Sequence, residues 1–280
     1  MSHANIPRSR RFSLDTTVSS IREFGFGANF DPMTLFAGGE QGAWYDPSDK
    51  STLFQDAAGT IPVTKNGDPV GLIKDKSGNG NHATQILSAA RPTYQTDGIL
   101  HWLAFDGVDD FMSSVPVNFS ATEVASAFFA RQVVAYSGAT NFVFGDNVTS
   151  AGSFGEYQRN IYHGSPTVSL NGTVLTVAQV ANASTALSNS VISMRLDLSL
   201  ESPKQGIDFK VNGAYPSIGY GGAASAKGGN FGTHPIYIGG ISGGESNMIF
   251  RGLVVVNYYS TIEQVSAIES YLAAKSGVML

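Results

Sequence analysis

The sequence MIFRGLVVVNYYSTIEQVSAIESYLAAKSG, residues 248–277, combines a strand signal with a helix signal. Residues 248–257 are mostly apolar with three consecutive valines, which is typical of a buried strand. Ser260 to Glu263 has the form of a capping box, in which the Ser hydroxyl accepts a backbone NH and the Glu reaches back. Apolar side chains then recur at helical spacing, at Ile262, Val265, Ile268 and Leu272. With Gly277 as a stop, the pattern predicts one C-terminal helix that packs on a sheet.

Upstream of this stretch, the chain is a succession of short apolar or alternating segments separated by Gly, Asn, Asp and Ser. We predict strands over 100–105, 126–135, 141–144, 167–170, 191–198, 207–211, 235–238 and 248–257. Asn171-Gly172 and Asn212-Gly213 each follow an alternating segment and predict hairpins, because both residue types tolerate positive φ. Many strands with one terminal helix favour an all-β fold, a two-sheet antiparallel jelly-roll sandwich.

The composition excludes several classes of protein. The chain has 280 residues with a formal net charge of −5, so it has no basic excess to neutralise a nucleic acid backbone. Only 14% of residues are charged and 32 are Gly, which suits neither a coiled coil nor a disordered chain. There is no Cys, so disulfides and thiolate metal sites are excluded. Apolar runs such as 253–256 are too short to insert in a membrane.

Residues 1–33 differ from the rest of the chain and predict an N-terminal arm, with a domain over 34–280. Arg8, Arg10 and Arg11 are not followed by the apolar run of a secretory signal, so none is expected. The arm contains seven apolar residues that a solvated tail would not need, which predicts docking on this chain or on a neighbouring subunit. They are Phe12, Leu14, Val18, Ile21, Phe24, Phe26 and Phe30.

Three separated motifs carry a family resemblance. They are DKSGNGNHAT (75–84) followed by ARP (90–92), LAFDGVDDF (103–111), and FRGLVVVN (250–257) with its capped helix. In order and spacing they resemble the concanavalin A-like, laminin G-like jelly-roll domains over about residues 41–278. The resemblance implies a lectin-type sandwich.

The segment LFAGGEQGAWYDPSD (35–49), followed by LFQD (53–56), resembles the opening of lectin-like structural proteins of tailed bacteriophages and prophages. That resemblance implies a virion component assembled in the bacterial cytoplasm, where the absence of Cys is expected. It further implies that the arm contacts other virion proteins and that the chain forms a homo-oligomer, with a trimer favoured for attachment.

Two polar segments are candidates for calcium, the only ion considered; no organic cofactor is predicted. Asp75, Ser77 and Asn79 place oxygen side chains at alternate positions, but the twelfth position of a calcium loop is Ile86. A self-capped tight turn accounts for the same residues. Asp106, Asp109 and Asp110 form a carboxylate cluster that also fits a turn with one Asp capping a backbone NH. We favour the turn in both places.

Aromatic residues are the candidates for glycan binding, because a ring face offers an apolar platform to a sugar. Trp44, Tyr45 and Tyr220 are candidates for this role. Trp102 could also stack on a sugar, but core packing is favoured for it because it lies inside a predicted strand. The linear Glu-x-Asp-x-x-Glu pattern of concanavalin A-like glucanases is absent, with Asp197 and Glu201 the nearest approach. No catalytic residue is assigned, and we predict that the protein is not an enzyme.

The predicted function is that of a virion structural protein in a tail or fibre-type appendage, attached to host-surface glycans by its lectin-like domain. Two alternatives stay open. One is a capsid decoration or head-fibre protein. The other is a carbohydrate-binding module or a glycan hydrolase.

Overall fold

The structure is a computed structural model. It describes residues 30–135, 139–147, 151–158, 166–170, 178–182, 188–200, 206–216, 218–221, 229–241 and 243–280. Residues 1–29 of the predicted arm lie outside the described residues, so the arm and its boundary at residue 33 stay a prediction. No helix in the described part of the chain is long and apolar enough to cross a membrane.

The described residues form mainly strands, with one α-helix and three short 3-10 helices. The strands are β1 (Gly42–Tyr45), β2 (Leu53–Phe54), β3 (Leu72–Ile73), β4 (Ala83–Thr84), β5 (Thr93–Thr96), β6 (His101–Asp106), β7 (Met112–Ser114), β8 (Val117–Phe119), β9 (Val124–Ala135), β10 (Thr140–Phe144), β11 (Phe154–Gln158), β12 (Pro166–Leu170), β13 (Ala178–Asn182), β14 (Asn189–Asp197), β15 (Ile207–Val211), β16 (Ile218–Gly221), β17 (Gly232–His234), β18 (Ile236–Ile238) and β19 (Asn247–Val256). The helices are α1 (Ile262–Ser276) and the 3-10 turns Pro32–Phe36, Lys50–Thr52 and Ser88–Ala90.

Two large antiparallel sheets form the sandwich. Sheet 1 has the order β15-β14-β9-β19-β6-β5, and β1 also pairs with β19. Sheet 2 has the order β16-β13-β12-β11-β10-β18-β7-β4-β3-β2, while β17 and β8 form a separate pair. The predicted all-β, two-sheet jelly-roll fold with one C-terminal helix is therefore confirmed, and each of the eight predicted strands overlaps an observed one.

The main core lies between the two sheets and is rich in phenylalanine. Phe144 stacks on Phe119 and on Phe154, with ring centroids 4.7 and 5.0 Å apart. Phe129 of sheet 1 contacts Phe142 of sheet 2, which joins the two layers. Period-2 alternation along the strands brings these rings to one side of each sheet, because successive side chains point to opposite faces.

A second core lies on the outer face of sheet 1, beneath α1. Val265, Ile268 and Leu272 are buried there against strand residues, as the helical stripe predicts. Ile262 is 65% exposed, so its assignment to the stripe is wrong. The helix ends at Gly277, whose φ of +70° is the left-handed value favoured by Gly.

The cap of α1 is one residue later than predicted. Thr261 is the N-cap, and its side chain accepts the NH of Gln264, whose side chain accepts the NH of Thr261. The pattern at Ser260 and Glu263 has the right residue types in the wrong register. Ser260 instead donates its backbone NH to the Ser126 hydroxyl of β9, which ties the chain to sheet 1 before the helix begins.

The two predicted hairpins differ in outcome. Strands β12 and β13 pair with Leu170 opposite Ala178, so the antiparallel pairing is confirmed although residues 171–177 lie outside the described residues. Asn212 and Gly213 adopt φ of +50° and +74° and form a tight turn, but only the single bridge Val211–Ala214 follows it. The hairpin at 212–213 is therefore wrong, because the next strand, β16, pairs with β13 in sheet 2.

Candidate functional site

Helix α1 packs on β9, β14 and β19 of sheet 1, and the outer face of the sheet at β6 is only partly covered. Trp102, Ala104 and Asp106 alternate along β6 and therefore point to this same face. Ala104 pairs with Thr93 of β5 on one side and with Ile249 of β19 on the other. These cross-strand neighbours form an apolar floor between Trp102 at one end and Asp106 at the other, about 13 Å apart along an extended strand.

This floor lies in a groove of about 550 Å³. Its polar lining includes Arg91, Asp106, Asp110 and Asn247, and its apolar lining includes Trp102 and Val134, which is 50% exposed. A groove of this size, with an aromatic face and a few polar groups, has the composition of a small-ligand site. We call it the Trp102 groove.

A buried cation, Arg251, lies against the ring of Trp102. The guanidinium carbon of Arg251 lies 4.9 Å from the centroid of the Trp102 ring. Arg251 is only 6% exposed, and its Nε and Nη1 have no hydrogen-bond partner among the described residues. Burial lowers the pKa of Arg251, and the charge of Asp97 acts in the opposite direction. The stacking on Trp102 partly offsets the cost of burying this cation.

Trp102 lies on the outer face of sheet 1 and not in the core, which corrects the core-packing role favoured for it from the sequence. Trp102 is only half-buried, and its strand neighbour Leu103 points into the core instead. The alternation along β6 could have predicted this, because Leu103 and Phe105 are both apolar and alternate with Trp102, so they would point to the inner face and Trp102 to the outer one. Which face stays open could not be predicted, since it depends on where α1 packs on the sheet.

The three aspartates at the end of β6 are brought together, as the sequence suggested. Oxygens of Asp106, Asp109 and Asp110 lie within 4.8 Å of one another. The turn interpretation is supported: Asp106 Oδ1 accepts the NH of Val108 at 2.8 Å, and Asp110 Oδ2 accepts the NH of Asp106 at 3.0 Å.

Gly107 makes the turn between these aspartates, with φ of +76°. A side chain on Gly107 would come within 2.8 Å of the backbone nitrogen of Asn247. The close approach places the acidic turn directly against Asn247 at the groove wall.

Asp110 is unusual among these carboxylates because it is only 5% exposed. Burial raises the pKa of Asp110 to about 6, with smaller contributions from the charges of Asp106 and Asp109, while the hydrogen bond from the NH of Asp106 opposes the shift. The folded protein thus holds a carboxyl that changes charge near neutral pH at the edge of the Trp102 groove.

We expect the stability of the wild type relative to Asp110→Asn to decrease as the pH rises. A raised carboxyl pKa means that the stabilising neutral form is fully present below about pH 4 and is lost as the pH rises through about 6. From pH 4 to pH 7.5, the free energy of unfolding of the wild type should therefore fall by about 2 kcal/mol relative to Asp110→Asn. Urea unfolding at both pH values measures this difference. The exposed Asp109→Asn is the matched control, and an equal pH dependence of the wild type and Asp110→Asn would contradict the expectation.

The other calcium candidate, the loop after β3, is a buried turn in which the side chains satisfy each other. Asp75 Oδ1 accepts the NH groups of Trp44 and Ser77, both at 2.9 Å. Asp75 Oδ2 accepts the Ser77 hydroxyl at 2.7 Å and the Asn81 NH at 3.0 Å. Asn79 donates its side-chain amide to the carbonyls of Glu40 and Gly42. The carboxylate is used to fasten β1 to this loop, which supports the turn interpretation.

Two of the three aromatic glycan candidates are buried, and the structure corrects them. Tyr45 is fully buried in the main core, where its hydroxyl donates to the carbonyl of Asn81. Trp44 is 7% exposed, with Lys76 over its ring and the Tyr271 ring against it. Neither ring offers a face to a sugar. Tyr220 lies in β16, and its side chain is outside the described residues.

Comparisons with known proteins show likeness in structure rather than in sequence. No protein-family model and no curated protein sequence matches the chain. An arabinofuranosidase, solved with arabinofuranosyl-alpha-1,2-xylobiose, is 15% identical with a TM-score of 0.57, over 88% of this chain and 65% of that chain. Trypanosoma rangeli sialidase is 11% identical with a TM-score of 0.50, over 86% of this chain. The binding domain of Paraclostridial Mosquitocidal Protein 1 is 12% identical with a TM-score of 0.50, over 74% of this chain.

The chain spans only part of each of these proteins. It covers 33% of the sialidase chain and 51% of the mosquitocidal binding domain. Two of these three structures are glycosidases, so the prediction that this protein is not an enzyme is wrong. Neither the fold nor the absence of one linear carboxylate pattern distinguishes the chain from glycan-acting proteins. What the likeness shows is the fold, and the chain is a lectin-like antiparallel β-sandwich.

Proposed function

We propose that the protein is a glycan-binding β-sandwich and that the Trp102 groove holds the sugar. The observation that carries this proposal is the half-buried Trp102 ring at one end of a groove whose other end carries Asp106, Asp110 and Asn247. A sugar ring presents an apolar CH face and a polar edge of hydroxyls. The Trp102 ring can stack on the CH face, and the carboxylate and amide oxygens can accept hydrogen bonds from the hydroxyls.

The groove is open and shallow, so a single copy should bind weakly. Its volume of about 550 Å³ has room for a short oligosaccharide. Weak sites become effective when several copies are held together, because the second contact forms at a high effective concentration. The resemblance of residues 35–56 to phage lectin-like proteins supports a setting of this kind. We therefore extend the proposal to a virion protein, as a homo-oligomer in a tail or fibre-type appendage that attaches to host glycans.

Trp102→Ala is expected to abolish glycan binding while the protein stays folded, because the ring lies on the open face of sheet 1. A glycan array identifies binders of the wild type, and titration calorimetry compares the variants. Trp44→Phe is the matched control: it alters the only other tryptophan of the chain, which is buried beneath α1. In Trp44→Phe the tryptophan fluorescence comes from Trp102 alone and should change when sugar binds. Unchanged binding by Trp102→Ala would exclude the groove.

Glycan hydrolysis is a second candidate, favoured by the paired carboxylates of the groove. A glycosidase needs one carboxyl that is protonated and one that is ionised. Asp110, with a pKa of about 6, could act as the protonated general acid, and the more exposed Asp106 could act as the ionised carboxylate. Incubation with the oligosaccharides found on the array tests it. Release of reducing sugar that is lost in Asp110→Asn and retained in Asp109→Asn supports hydrolysis, whereas no release by the wild type rejects it.

A further inference from the structure

The charges around the Trp102 groove are unbalanced. Asp106 and Asp110 line it, and Asp109 lies within 4.8 Å of both. In the described part of the chain, none of the three carboxylates forms an ion pair. The acidic end of the groove therefore keeps its negative charge.

The cations near the groove offset only part of this charge. Arg91 lines the groove, but its Nε donates to the carbonyl of Gln85 and its Nη2 to the carbonyl of Ile86, each at 3.0 Å. Arg251 is buried with its guanidinium carbon 4.9 Å from the Trp102 ring centroid, and the charge of Asp97 offsets part of its charge. The two lining carboxylates and the adjacent Asp109 therefore outnumber Arg91, the one cation that lines the groove.

We infer that the Trp102 groove selects sugars that carry an amine and rejects sugars that carry an acid. The inference rests on the proposed glycan-binding function and names the ligand class of the same groove. An ammonium group placed at the Asp106 and Asp110 end gains a favourable charge interaction, whereas a uronic or sialic acid carboxylate there is repelled.

Three tetrasaccharides test the selection by calorimetry at about pH 6.5, where Asp110 is mostly ionised and a large fraction of the sugar amines still carries a proton. They are the glucosamine tetramer, its N-acetylated neutral counterpart and the galacturonic acid tetramer. We expect the glucosamine tetramer to bind the wild type about tenfold more tightly than the neutral one, and the acidic tetramer to bind most weakly. The preference should shrink on raising the salt from about 0.02 to 0.5 M, because salt screens exposed charges.

Two variants of the acidic turn connect the selection to these residues. Asp110→Asn should reduce the ratio of the two affinities, amine over neutral, to about threefold or less. Asp109→Asn should reduce the same ratio and leaves the turn intact, because its side chain makes no hydrogen bond among the described residues. Glu263→Gln, which removes an exposed charge at the start of α1, is the control for net charge and should leave the ratio unchanged.

The outcomes separate the inference from the proposed function. Equal binding of all three tetramers, abolished by Trp102→Ala, overturns the charge selection and keeps the groove as a sugar site. An amine preference that survives Asp109→Asn and Asp110→Asn also overturns it. If calcium chloride removes the amine preference and tightens neutral binding, the carboxylates hold a metal and the inference fails. Binding of none of the tetramers overturns both statements.

Discussion

Glu156→Ala is expected to lower the free energy of unfolding by about 3 to 5 kcal/mol, because it leaves the Arg131 guanidinium buried without its partner. Arg131 of sheet 1 donates from Nη2 to Glu156 Oε1 of sheet 2 at 2.8 Å, and neither side chain is exposed. Asn141 donates to Glu156 Oε2 at 2.8 Å. Already in the wild type, Nε and Nη1 of Arg131 have no partner among the described residues. Among the described residues, the Glu156 carboxylate is thus the one counter-charge paired with this cation.

Urea unfolding of a double-mutant cycle measures this interaction. Arg131→Met with Glu156→Leu removes both charges and keeps apolar volume, so we expect the pair to be much less destabilised than the sum of the single variants. Additive losses would show that the two charges do not interact and would contradict the expectation. A large recovery in the double variant would identify the ion pair as a feature that joins the two sheets without adding net stability.

Asp75→Ala is the second large expected loss, about 3 kcal/mol or more, because it leaves several buried donors unsatisfied. The carboxylate accepts the NH groups of Trp44, Ser77 and Asn81 and the hydroxyl of Ser77. Trp44 belongs to β1, which pairs with β19, so the loss should loosen β1 at the sheet edge. Thermal unfolding and hydrogen exchange at β1 measure both effects.

A calcium titration distinguishes the structural turn from a metal site at Asp75. We expect the thermal midpoint to be independent of calcium through this residue, because its oxygens already accept four hydrogen bonds. Asp75→Asn, which keeps one acceptor oxygen, should be destabilised less than Asp75→Ala. A calcium-induced rise in the midpoint that is lost in Asp75→Asn but kept in Asp110→Asn would contradict the turn interpretation.

Local patterns predicted the long elements well and the short ones poorly. Strands β9, β14 and β19 are 12, 9 and 10 residues long and are predicted correctly, because each is long enough to show an apolar or alternating segment. Strands β2, β3 and β4 have two residues each and carry no period, so they were missed. The helix was found with its cap one residue out, since Ser260-Glu263 and Thr261-Gln264 both resemble a capping box.

The sequence by itself determined the all-β class, the long strands, the terminal helix and the tight acidic turn at Asp106. Each of these depends on interactions between residues near one another in the chain, and residue order alone encodes them. Only the tertiary structure decided that Trp44 and Tyr45 are buried and that Trp102 and Asp110 line the same groove. Exposure depends on which distant element covers a face: α1 packs on β9, β14 and β19 and against Trp44, whereas Trp102 lies on β6. The pairing of Arg131 with Glu156 could not be predicted from the sequence either, because the two residues meet only where the two sheets pack together.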